Sequence, residues 1–505
     1  MFMSLIQTYE HRDKEKFLNW TYQDSELVIG LVGAVGTEQH QIINIISDRL
    51  KAYNYETEEI RVSRDVIAKL YKIPETTNEF ERISTAMDKG NLARKQTGDN
   101  GILALGVAEE ILSRREKLGK PRKRVAYIVN SLKHPKEVER LREIYASGFY
   151  LFGIYSDEHS RLDYLINNKR IKEEDARKLI KRDMSEEEGH GQQTRDTFQM
   201  ADFFIHFDRD HYQLVEKSIW RILDLMFAAP YITPTFDEFA MFMAFVSALR
   251  SADLSRQVGA VITKNEEIIA SGANDIPKFG GGLYWPILDS QTNSIVDKAN
   301  GRDYVRGYDS NKKEQAKIIE DIAKLLDLDN EKIEKLKKSR IRDITEYGRV
   351  VHAEMEAILM CARNHISTRG ATIYCTTFPC HNCAKHIIAA GIKEVVYIEP
   401  YPKSKAFEFH DDSITSDPTQ TNKVLFRPFV GIGPRRFFEL FSMSLGAGNE
   451  KVRKDSNGNI IKWQPERSNL RLQLVPYSYL EKELVATDIF NKKIGGLNND
   501  KRKDS

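Results

Sequence analysis

Hydrophobic residues in the first half of the chain come in short continuous runs. Residues 27–35 (LVIGLVGAV) form an apolar, β-branched run ending in glycines, and helical spacing follows from about His40 to Leu50. This pattern predicts a strand, a Gly-containing turn and a helix. Further runs at 124–129 (RVAYIV), 149–155 (FYLFGIY) and 201–205 (ADFFI) predict three more buried strands. Strands that alternate with helices over about 230 residues imply a mostly parallel sheet with helices on both faces.

Pro230, Pro234 and Thr235 punctuate a boundary, and a helix is predicted from near Asp237. Residues 258–263 (VGAVIT) and 268–271 (IIAS) read as two strands joined by a turn over Lys264–Glu267. Residues 275–348 then break the pattern with a Gly-rich loop and a charged helical pair from about Lys312 to Ser339, which reads as an insertion. The alternation resumes with a helix at His352–Asn364, a strand at Ala371–Thr376, a helix at Cys380–Ala390 and a strand at Glu394–Ile398. The chain thus divides into domains at 1–232 and 233–490, and the polar, basic residues 491–505 are expected to be disordered.

Composition narrows the class. The 505 residues are too many for one ordinary core, and 41% hydrophobic with 30% charged residues fits a globular protein. Lys and Arg (76) nearly cancel Asp and Glu (74), which argues against a protein that grips long nucleic acid. Met1–Arg12 has no apolar signal region and no run has membrane length, so a cytoplasmic protein is expected. Four cysteines make a poor disulfide framework but suit a reducing compartment, where thiolates can bind metal.

Two segments carry the chemistry: His352-Ala353-Glu354 and Pro379-Cys380-His381-Asn382-Cys383. Both fall at predicted helix N-termini, where the helix dipole favours the thiolate that zinc requires. His352, Cys380 and Cys383 supply three ligands, and a fourth tetrahedral position stays open for water, as in catalytic rather than structural zinc sites. Glu354, two residues from a ligand, can move the protons. Cys361 and Cys375 read as core thiols. The order H-x-E…P-C-x-x-C is the signature of zinc deaminases acting on nucleobases.

With Val258-Gly259-Ala260-Val261-Ile262 and Gly272-Ala273-Asn274, these motifs make the second half resemble the cytidine/deoxycytidylate deaminase superfamily. The resemblance implies an α/β/α domain around a mixed five-stranded sheet, with Asn274 on the sugar and Ala353 also at the substrate. Over about 480 residues the chain looks like the bacterial anti-phage dCTP/dCMP deaminases, which fuse a P-loop-kinase-like domain to this fold. The segments bearing on that are 129–135 (VNSLKHP), 401–404 (YPKS) and 428–436 (PFVGIGPRR). What this likeness implies is hydrolysis of dCTP, and of dCMP, to the deoxyuridine nucleotide and ammonia, depleting the pool during infection. It also implies a homo-oligomer, such as a hexamer, and in some relatives a small inhibitory RNA. Lys403, Arg435 and Arg436 are the cations placed to meet substrate phosphates.

The turn Gly33-Ala34-Val35-Gly36 stands where a phosphate-cradling loop belongs. A working loop reads G-x-x-x-x-G-K-[ST], and this chain has Glu38, Gln39 and His40 in place of its last Gly, Lys and Ser/Thr. Glu38 would repel phosphate and no lysine restores the charge, so a degenerate domain is expected, either a nucleotide- or RNA-sensing regulatory domain, which is favoured, or a scaffold for assembly, with Gly33 and Gly36 as its candidate nucleotide contacts. Two other readings stay open: a polynucleotide cytosine deaminase, and a non-enzymatic RNA- or nucleotide-binding sensor with a structural zinc.

Overall fold

The computed structural model describes residues 25–500 other than 75, 117–121, 185–189, 345, 399–403, 446–447 and 473–475. They divide into two compact units, one within Met1–Pro234 and Val430–Ser505, the other Thr235–Phe429.

In the first unit, β1 (Leu27–Gly33), β2 (Glu56–Arg61), β3 (Val125–Asn130), β4 (Phe149–Tyr155) and β5 (Phe203–His206) form a parallel sheet in the order β5-β4-β1-β3-β2. All seven residues of β1 are buried, as a central parallel strand requires. Leu27, Ile29 and Leu31 pack with Ile42 and Ile46 of the Gln39–Lys51 helix and Ile219 and Leu223 of the Tyr212–Met226 helix. The four strands read from sequence are all present. β2 (ETEEIR) was not expected, because an edge strand in a polar sequence carries no continuous apolar run.

The second unit begins with the Phe236–Ala248 helix, capped reciprocally by Thr235 and Glu238. Strands β6 (Gly259–Lys264) and β7 (Glu267–Ala273) form a hairpin whose two turn residues, Asn265 and Glu266, both have positive φ (53° and 58°). The insertion carries a small hairpin, β8 (Ile287–Asp289) and β9 (Ser294–Val296), and the helices Ser310–Leu325 and Asn330–Lys337. Its two ends meet where Val351 N–H donates to the Asp275 carbonyl at 3.0 Å. Arg302 forms ion pairs with Asp275 at 2.9 Å and Asp297 at 3.0 Å, which ties the insertion to the end of β7.

Beyond the insertion come β10 (Thr372–Cys375), β11 (Glu394–Tyr397), β12 (Ile414–Thr415) and β13 (Val424–Pro428). The sheet order is β12-β13-β11-β10-β6-β7, with β6 antiparallel to both neighbours and the rest parallel. It is mixed, as expected, but has six strands rather than five; the sixth is the two-residue β12, too short to leave a pattern. Ile262, Ile373, Val395 and Phe426 from four strands meet Ala357, Cys361 and Ile387 from helices in one core.

The expected domain limits need correction at the C-terminal end. After Phe429 the chain joins the first unit rather than continuing the second to residue 490. β14 (Gly431–Ile432) pairs antiparallel with β5, and Gly433 N–H donates to the Asp202 carbonyl at 2.7 Å. Of the residues expected to be disordered, 501–505 lie outside the described residues, and 491–500 fall within the helix Pro476–Asp500. Its Tyr479 hydroxyl bonds Glu26 at 2.6 Å, Glu483 pairs with Arg115, Phe490 packs over Gly106, and Lys493 bonds Asp99 at 2.6 Å. These contacts supply what a polar composition alone does not. Among the described residues no helix is long and apolar enough to cross a membrane.

Candidate metal centre

His352 caps the Ala353–Arg363 helix and Cys380 caps the His381–Ala389 helix, with Cys383 in the first turn of the latter. Each helix follows an extended residue, so both present their N-terminal ends to one place. What allows the first helix to sit there is Gly272 in β7, where any β-carbon would strike the Ala353 carbonyl. Gly259 in β6 has the same relation to Ala244 of the Phe236–Ala248 helix. Ala353 itself is fully buried.

The three donors converge. His352 Nδ1 lies 3.4 Å from Cys380 Sγ and 3.3 Å from Cys383 Sγ, and all three ligand atoms lie within 4.8 Å of one another. Tetrahedral zinc separates a histidine nitrogen from a cysteine sulfur by about 3.5 Å, so the two N···S distances fit the ion within a few tenths of an ångström. The hydrogen bond from Cys383 holds the Cys380 thiol down at about 3, aided by His352, against the opposing effect of burial. Cys383 is pushed the other way by the same bond and by burial, so the pair keeps one proton for a metal to displace.

Glu354 is 4% exposed and its Oε2 lies 3.4 Å from Cys383 Sγ. Burial, then the neighbouring Cys380 thiolate, raise its pKa above the usual carboxylate range. A carboxyl beside three metal donors with a raised pKa suits a proton carrier. Cys361 and Cys375 are both fully buried away from this cluster's donor set, as core thiols.

The other expected contacts distribute unevenly. Asn274 is buried, with Oδ1 accepting from Val258 N–H at 2.6 Å and Nδ2 donating to the Arg256 carbonyl at 2.8 Å. Its side chain thus fixes the segment that leads into β6. That segment carries a cation the sequence reading missed: Arg256 is exposed and near enough for its charge to act on His352. Its place just before the Val258-Gly259 motif was the only hint. Lys403 lies outside the described residues.

Arg435 and Arg436 belong to the first unit, on the Pro434–Phe441 helix. Arg436 is no phosphate ligand. Its buried guanidinium pairs with Asp202 at 3.3 Å and Glu439 at 2.5 Å and donates to the Phe149 carbonyl at 2.7 Å. Arg435 is exposed on the same helix.

Gly33 and Gly36 do form a turn, with Gly36 at φ +87° and the Arg161 carbonyl only 2.7 Å from where its β-carbon would stand. A lysine does reach this turn, although its charge is paired with Asp183 at 2.8 Å. Lys133, from the segment after β3, places Nζ 2.8 Å from the Gly33 carbonyl. Glu38 pairs with Arg209, so its charge is neutralised.

The sequence profile described as "Cytidine and deoxycytidylate deaminase zinc-binding region" matches residues 291–399. A deoxycytidylate deaminase of Enterobacteria phage T4 is 35% identical over 167 residues, which cover 32% of this chain and 77% of that protein. The deoxycytidylate deaminase of Mus musculus is 29% identical over 206 residues, 41% of this chain and 81% of its own. Among solved structures, the dCMP deaminase of cyanophage S-TIM5 in complex with dCMP and dUMP shares 20% identity, covering 39% of this chain and 100% of that one at a TM-score of 0.23. The matched zinc-binding region holds His352, Glu354, Cys380 and Cys383, and with the phage T4 relative it shows that the chain belongs to the cytidine and deoxycytidylate deaminase family, whose cofactor is zinc.

Proposed function

We propose that the second unit hydrolyses the 4-amino group of deoxycytidine nucleotides, dCMP and dCTP, to give the deoxyuridine nucleotide and ammonia. The observation that carries this reading is the convergence of His352 Nδ1 and two cysteine sulfurs with the Glu354 carboxyl beside them. His352, Cys380 and Cys383 would hold the zinc, which when bound would supply the Lewis acidity that makes water nucleophilic at neutral pH. Glu354 takes one proton from the attacking water and passes it to ring N3; it then takes a second from the new C4 hydroxyl and delivers it to the amine, which leaves as ammonia. Ala353 faces the base through its backbone. Asn274 fixes the strand beside the sugar, and Arg256 meets the substrate's phosphate. The first unit is read as regulatory, and removal of deoxycytidine nucleotides is the means of anti-phage defence. A homo-oligomer restrained by an RNA belongs to the same reading.

Product analysis tests it: zinc-loaded protein is given dCMP, dCTP, CTP, deoxycytidine and a single-stranded cytosine oligonucleotide. Turnover of dCMP or dCTP is expected, and Glu354→Ala should abolish it while keeping its zinc. Cys380→Ala and Cys383→Ala should lose the metal. Conversion of the oligonucleotide alone would sink the nucleotide reading, and unchanged turnover by Glu354→Ala would sink the proton-transfer role.

A further inference from the structure

The Gly33–Thr37 turn lies at the carboxyl end of β1, with β3 on one side and β4 on the other. In open α/β sheets this is the crevice where ligands bind. Here the crevice already holds an anion, and it belongs to the chain.

Asp183, in the last turn of the Glu173–Met184 helix, is fully buried with its carboxylate against the turn. Its Oδ2 accepts from Val35 N–H at 2.7 Å. Its Oδ1 accepts from Lys133 Nζ at 2.8 Å and from the Thr194 hydroxyl at 3.2 Å. A backbone N–H from a glycine turn, an ammonium and a hydroxyl are the donors that a phosphate-cradling loop offers a phosphoryl group. They reach Asp183 from three separate segments. Lys133 also bonds the Gly33 carbonyl, so its ammonium is fixed to the turn whether or not the carboxylate is present. An independent feature points the same way: the Thr37 hydroxyl of this turn is buried without a hydrogen-bond partner among the described residues.

We propose that this turn is an oxyanion site for phosphate-class ligands which the chain closes with Asp183. A polyphosphate, inorganic or at the end of a nucleotide, competes with the carboxylate for Val35 N–H and Lys133 Nζ. Two anions cannot share those donors at such separations. Binding therefore expels Asp183 and loosens the Glu173–Met184 helix that carries it. The replacement of the loop lysine by Gln39 is compensated in space by Lys133, and the site is shut rather than lost.

The test is equilibrium binding of inorganic tripolyphosphate to the full, zinc-loaded chain, which reads the first unit independently of deamination. Asp183→Asn keeps the shape and removes the competing charge, so binding should tighten by about tenfold or more. Adding Lys133→Met to Asp183→Asn should erase that gain, which separates this site from any phosphate contact in the second unit. A folded Asp183→Asn protein that binds no tighter than wild type overturns the proposal, as does a gain that survives Lys133→Met. If Asp183→Asn does not fold, amide hydrogen exchange on the wild type decides. Saturating tripolyphosphate should speed exchange across residues 173–184, and unchanged exchange there overturns the proposal.

Discussion

Gly272 lies directly against the first turn of the helix that follows His352: a β-carbon on the glycine would run into the Ala353 carbonyl and stand 2.6 Å from the Ala357 nitrogen. Backbone meets backbone there, so no side chain can yield. Gly272→Ala must push the Ala353–Arg363 helix away from β7, and His352 and Glu354 move with it. A displacement near 1 Å at a catalytic group costs about a hundredfold in rate. We expect that loss in dCMP turnover, with reduced zinc content by metal analysis and a stability loss of about 1–3 kcal/mol. Full activity would show that the helix tolerates the shift.

Arg256 is an exposed cation whose charge acts on His352. If it receives the substrate phosphate, Arg256→Ala should raise KM for dCMP by about tenfold, the worth of one charge-assisted contact. Deoxycytidine, which has no phosphate, should be nearly unaffected. Added salt should weaken dCMP binding to the wild type more than to the variant. An equal change for both substrates would place Arg256 in a structural role.

Lys451 is 2% exposed, and its Nζ has no hydrogen-bond partner among the described residues. Burial first, then the charges of Arg471, Arg453 and Arg221, lower its pKa to about 8. An unfolded lysine titrates near 10.4, so between about pH 8 and 10 the unfolded chain binds more protons than the folded one. Stability from this group therefore rises with pH across that window, and below it the charged form weakens the fold. Lys451→Met should stabilise the protein at pH 7 by about 1–2 kcal/mol, allowing for solvent near the cluster, and should remove the rise. Denaturant melts at pH 7 and 9.5 check both.

Arg436 is consumed by Asp202, Glu439 and the Phe149 carbonyl. Its removal leaves buried acceptors with one partner fewer. Arg436→Ala should cost about 3 kcal/mol of stability. The folded fraction should keep its KM for dCMP, whereas a phosphate ligand would raise it; thermal melts and steady-state kinetics separate the two.

The metal centre was legible because its information is local. Cys380 and Cys383 are fixed relative to each other by one helical turn, and His352 and Glu354 by one cap, so spacing alone restricts the chemistry. The buried strands β1, β3, β4 and β5 were legible for the same reason, each being a continuous apolar run. β2 escaped notice because an edge strand has no need of one. Arg436 was misread because its Gly-Ile-Gly-Pro approach looks like a substrate loop, whereas β14 pairs with β5 and turns the arginine into the first unit's interior. Lys133 was overlooked because a phosphate loop is sought as a contiguous motif.

By itself, then, the sequence determined the donor set, the carboxyl of Glu354 beside it and the α/β character of both halves, since helix periodicity and strand burial act over a few residues. The tertiary structure alone decided that the chain after Phe429 returns to the first unit, that Gly272 admits the His352 helix, and that Lys133 and Asp183 meet at the glycine turn. Those are contacts between segments distant along the chain. They depend on which surfaces pack together, and packing is settled by shape and by the pairing of buried charge across the whole unit.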